Sequence, residues 1–152
     1  MEFKEIIEAF AADVGMTEPV VYEEENVCHF AINGKGYGFR GVPEAERLVV
    51  WTALCARPPE SGERFLVQLL RANFMNQGMP DGALSLSDDD IVYAHCSLKL
   101  PVFDKDEFYA LLQRFVTAVD EWREMLALAE RAREVMPQVR PPDQPTDGFM
   151  KV

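Results

Sequence analysis

The segment ERFLVQLLRANFM, residues 63–75, reads as a helix that is apolar nearly all the way round. Phe65, Leu66, Val67, Leu69, Leu70, Ala72, Phe74 and Met75 leave only Gln68, Arg71 and Asn73 as polar interior positions. A helix packed on a single surface carries one apolar stripe and one polar face, whereas a helix that is apolar on every side needs two surfaces to bury it. In a chain of 152 residues one of those surfaces is the chain's own sheet. The other is expected to be a second copy of the same chain.

Just upstream, RLVVWTALCA at 47–56 is a β-type run. Leu48, Val50 and Leu54 fall on one face, and Val49, Trp51, Ala53 and Cys55 on the other. A strand apolar on both sides is covered on both sides. The chain offers only three helices, and two of them suffice for one face of a sheet. The second face is then left apolar or covered by a partner. Both faces are equally apolar, so the pattern leaves open which of them is free.

Working outward, Phe3, Ile6, Ile7, Phe10 and Val14 recur at helical spacing, and Gly15 stops that helix. Residues 20–22 are extended and Glu23-Glu24-Glu25 reads as a charged loop. Residues 27–32 alternate, Asn33-Gly34 is a tight-hairpin signal, and 35–42 is the return strand. Gly34, Gly36 and Gly38 spell G-x-G-x-G, but a phosphate loop leads into a helix and this one leads into a strand. Pro43 and Glu44 turn the chain into the 47–56 run. Beyond the central helix, 83–87 and 91–100 form a second hairpin around Asp88-Asp89-Asp90, solvated turn charges without the spacing of a calcium loop. Asp104 and Glu107 have capping-box spacing at the start of a long helix over 105–135. Its apolar face holds Phe108, Leu111, Leu112, Phe115, Val119, Trp122 and Leu126. The order helix-strand-strand-strand-helix-strand-strand-helix is α+β: an antiparallel twisted sheet with three helices, one domain over 1–136 and a Pro-rich flexible tail over 137–152.

Lys plus Arg is 15 and Asp plus Glu is 26, a net charge of −11. That balance opposes binding to a phosphate backbone and suits a basic or neutral partner. Three cysteines are a poor disulfide framework and fit a reducing compartment. The acidic start MEFKEIIEAF lacks the features of a secretory signal, and no apolar run nears the roughly 20 residues of a membrane span. A soluble, cytoplasmic protein is expected. Cys28-His29 and His95-Cys96 raise the question of a metal or nucleophile site. On strands, adjacent residues point to opposite faces, so each pair splits and neither a metal nor a catalytic site is expected. A small enzyme using His29 or His95 is the rival that histidine substitution tests.

From Leu69 to Leu126 the chain resembles a known family. The carrying features are LL-x-AN-F on the second helix, Gly82-Ala83-x-Ser85-Leu86 opening the hairpin, and a strand ending at Leu100-Pro101. Phe108, Leu112, Phe115 and Val116 follow, with Glu121-Trp122-Arg123 late in the last helix. These resemble the class I type III secretion chaperones, the Tir chaperone family. The resemblance spans about residues 1–130, the first half by pattern alone. Ser87 intervenes before Asp88 where the family often has Asp directly after Leu, and the tail after Met136 is not part of the family core.

The resemblance implies a small acidic homodimer without cofactor or metal. Such a dimer binds the extended N-terminal segment of a secreted effector and keeps it soluble, partly unfolded and export-competent, with the secretion apparatus as a further partner. It implies a dimer interface on Phe65, Leu66, Leu69, Leu70, Asn73, Leu84 and Leu86. It also implies effector docking, partly by strand addition, around Phe3, Ile7, Phe30, Ile32, Phe39, Val50 and Trp51. The alternative is a stand-alone peptide-binding regulatory module of the same fold, unconnected with secretion.

Overall fold

Alternation of apolar residues lays down the sheet, and helical spacing supplies what covers it. The computed structural model describes residues 1–60 and 62–135; the expected Pro-rich tail lies outside the described residues. The elements run α1 (Phe3–Asp13), β1 (Tyr22–Glu24), β2 (Val27–Ile32), β3 (Lys35–Val42), β4 (Arg47–Ala56), α2 (Gly62–Asn73), β5 (Gly82–Leu86), β6 (Ile91–Lys99) and α3 (Lys105–Val135). All strand pairings are antiparallel, in the order β1-β2-β3-β4-β6-β5. This is the α+β sheet with three helices read from the sequence, with one strand more.

The extra strand is β1. Its Tyr22 packs edge-on to Phe3 of α1, and Glu24 reaches Arg40 on β3 at 3.2 Å. Three successive glutamates have poor strand propensity, so tertiary contacts rather than local preference make Glu23 and Glu24 a strand and not a loop. The β2–β3 turn is as expected: Asn33 and Gly34 adopt φ of 51° and 73°. Asp104 Oδ1 accepts the Asp106 N–H and caps α3.

Cross-strand register sorts the side chains. Phe39 faces Val50, which faces Cys96; Thr52 faces Ala94, which faces Leu84. These residues form the inner face, and α1 and α3 cover it. Phe10 of α1 packs against Phe30 and Phe39, and Phe115 of α3 against Tyr37. Gly41 lets the Phe3 ring lie directly on the sheet, where a Cβ would meet it at 2.8 Å. Arg123 of α3 donates to Thr52 Oγ1 at 2.8 Å and to the Ala53 carbonyl at 3.2 Å, fastening the helix to β4.

Leu48 and Val50 are therefore the covered side of β4, and Val49 and Trp51 the outer side. The pattern of β4 also carries a correction. A bulge between Ala53 and Cys55 breaks the alternation, so Cys55 stands opposite Val92, a core residue, and not on the Trp51 face. The central helix likewise ends earlier than its apolar pattern, at Asn73. Met75 and Asn76 take positive φ, and a short 3-10 turn over Phe74–Asn76 follows.

Candidate functional site

Three surfaces combine exposure with apolar character. The first is a groove of about 870 Å³ walled by the end of α1, by α3 and by β2. Phe10, Phe30, Ile32, Tyr109, Leu112 and Val116 supply its apolar lining. At one end α1 is tied to α3: Asp13 Oδ2 accepts from the Tyr109 hydroxyl at 2.7 Å and from Lys105 Nζ at 3.0 Å. The Tyr109 bond, then Lys105, hold the Asp13 carboxyl below its ordinary range. Burial, reinforced by Asp13, pushes the Tyr109 phenol up to about 12. At the other end Asn33 reaches Asp120 at 3.4 Å.

The β2 wall is also a sheet edge. β1 pairs with β2 only at Val27 and Cys28. The two-residue hairpin sets Ile32, Phe30 and Cys28 as the pairs bonded to β3, so Ala31 turns its N–H and C=O away from β3, toward the uncovered edge. An apolar trough beside free peptide groups accepts an extended segment twice over, through backbone bonds and through alternate side chains.

The second surface is α2. Phe65, Leu69 and Asn73, four residues apart, face β5, and Phe65 and Leu69 are buried. The next row turns outward: Leu70 is 70% exposed, Phe74 62% and Met75 78%. Leu86 at the end of β5 is exposed as well. Complete burial of a Leu or Phe side chain is worth about 1.5–3 kcal/mol. The row is thus a strong incentive for association.

The third surface is the outer face of the sheet, where His29, Gly38, Trp51, His95 and Ala83 form one cross-strand row. The Trp51 indole lies over Gly38, whose missing Cβ leaves the room, and meets His29 edge-on with centroids 5.7 Å apart. His29 Nδ1 is 3.2 Å from Glu23. The glycine pattern of β3 therefore seats side chains on both faces of the sheet: Phe3 on Gly41 and Trp51 on Gly38.

The expected site residues divide between these surfaces and the core. Among the docking candidates, Ile32 lines the groove directly, Phe30 lines it from a nearly enclosed position, and Trp51 lies on the outer face. Phe3, Ile7, Phe39 and Val50 are enclosed in the core and shape the surfaces from beneath. Among the interface candidates, Leu70 and Leu86 are exposed, Leu66 and Asn73 are half-buried, and Phe65, Leu69 and Leu84 are buried. Phe10, Tyr109, Leu112 and Val116 were not singled out as ligand-facing. Phe10 and Leu112 have a place on the apolar stripe of α1 or α3, which core residues share, Val116 enters only through the family resemblance, and Tyr109 has no signal of either kind.

Cys28 and Cys96 sit on the inner face, and burial pushes both thiols up to about 12. His29 and His95 lie on the outer face, so a thiol and an imidazole do not meet in either pair. Thiols held protonated at neutral pH are poor nucleophiles.

The sequence profile of the Tir chaperone protein (CesT) family matches residues 5–123. No curated protein sequence matches the chain. Among solved structures, a chain of the ExsC–ExsE complex is similar with a TM-score of 0.67 and 16% identity, over 83% of this chain and 97% of that one. A chain of the HopA1–SchA chaperone–effector complex gives 0.63 and 18%, over 80% and 93%. The Yersinia pestis type III secretion chaperone SycH in complex with a fragment of YscM2 gives 0.60 and 18%, over 79% and 98%. At these identities the structural likenesses establish the fold.

Proposed function

This chain belongs to the Tir chaperone protein (CesT) family, and from that premise we propose that it is a type III secretion chaperone acting as a homodimer. It holds the N-terminal segment of a secreted effector soluble, partly unfolded and ready for export. The observation that carries this reading is the apolar groove beside the free edge at Ala31. An extended client segment pairs with Ala31 and sets alternate side chains against Phe10, Phe30, Leu112 and Val116. Its apolar residues are then occupied and cannot nucleate a fold. A dimer built on Leu66, Leu70, Phe74 and Leu86 gives two grooves on one particle, so a long segment engages both at a high effective concentration. The work is done by burial and pairing in the bacterial cytoplasm, with no catalytic residue and no cofactor. No helix among the described residues is long and apolar enough to cross a membrane.

The test is co-expression with the protein encoded beside this gene. The expected result is a soluble complex in which only the client's N-terminal segment is protected from protease. Capture of folded domains, or no gain in client solubility, overturns the reading. Ala31→Pro narrows the test: it removes an N–H that makes no ladder bond, so the fold persists while strand addition is lost.

A further inference from the structure

The sheet has two edges, and they are not equally open. β5 is the far edge strand, and the Leu84–Ala94 register with β6 leaves both peptide groups of Leu84 pointing outward. Both are taken by one side chain. Asn73 Oδ1 accepts the Leu84 N–H at 2.8 Å, and Asn73 Nδ2 donates to the Leu84 carbonyl at 2.9 Å. An amide side chain bonded in this way reproduces the donor and acceptor of a neighbouring strand. Of the outward N–H groups on either side, that of Gly82 is bonded to the Met79 carbonyl, and that of Leu86 lies at the end of the strand. Phe65 and Leu69 hold α2 against β5, so the Asn73 amide arrives on a fixed helix.

We propose that Asn73 closes the β5 edge against strand pairing with the same edge of a second copy of this chain. An unprotected edge strand is a template for such pairing. The exposed row of α2 runs beside β5 and draws copies together there. Without the amide, two sheets brought edge to edge at β5 would join into one continuous sheet. With it, association on this side is confined to side-chain packing, and β2 is left as the edge that takes an extended segment. The proposal concerns the protein alone, so it stands or falls independently of the secretion reading.

The test compares wild type, Asn73→Ala and Asn73→Asp by sedimentation velocity over a concentration series and by amide exchange. Asn73→Ala is expected to speed exchange at Leu84 about tenfold, the loss of roughly one hydrogen bond's net contribution. It is also expected to form species larger than the wild-type assembly as concentration rises. Asn73→Asp keeps the acceptor and loses the donor, and should fall between; it also serves if the alanine variant does not fold. Adding Ser85→Lys, a charge on the exposed edge strand, should reverse the extra association. A folded Asn73→Ala or Asn73→Asp protein that sediments like wild type at every concentration overturns the proposal. So does extra association that Ser85→Lys leaves untouched.

Discussion

Helices α2 and α3 are both rich in apolar residues, yet the fold treats them differently. α3 lies across the inner face of the sheet, and Phe108, Phe115 and Val119 are wholly enclosed. α2 packs against the edge strand β5 and buries Phe65 and Leu69, leaving Leu70 in solvent together with Phe74 and Met75 of the turn that follows it. Total hydrophobicity therefore says little about a helix's task. What matters is how many of its faces the chain itself can cover.

The sharpest test of that contrast is in the core. Phe115→Ala on α3 is expected to lower unfolding stability by about 3–5 kcal/mol, read from urea titration, because the surrounding side chains cannot close the cavity. Leu70→Asp on α2 should leave the far-ultraviolet spectrum unchanged and weaken self-association by about thirtyfold or more, as for a hot-spot residue. A Leu70→Asp protein that unfolds, or that keeps its wild-type association, would erase the distinction. Thiol labelling extends the test without a mutation. Cys28 and Cys96 should resist a thiol reagent at pH 8 until the protein unfolds, being buried and protonated there.

The smallest effect concerns the tie between α1 and α3. Asp13 has a lowered pKa in the folded state, so its contribution is present above the ordinary carboxylate value of 3.8 and is lost as pH falls through the lower folded value. Acidification through that window should lower the melting temperature slightly more for wild type than for Asp13→Asn. Equal acid sensitivity would show that the tie adds nothing to the α3 side of the comparison.

Much of this was legible in the residues. Helical spacing found all three helices, Asn33-Gly34 fixed the first hairpin, and the excess of apolar positions on α2 pointed to surface left uncovered. Alternation could not reveal which side of β4 is free. It assigns residues to faces, and where α1 and α3 land is a matter of tertiary packing. For the same reason Ile7, Phe39 and Val50 read as surface candidates and lie in the core, while Leu112 reads as core, is buried as expected, and still floors the groove. The bulge after Ala53 and the three-residue β1 have no local signature strong enough to read, since both depend on neighbours distant in sequence.

The indole resting on Gly38 equips the molecule with its own lamp. Trp51 is partly exposed, and a Trp122→Phe background leaves it as the single emitter, so a blue shift on mixing would tell at once that something has settled on the outer side of the sheet. Enlarging residue 38 by one methyl would tilt that ring off its seat and retune the signal before any ligand arrives.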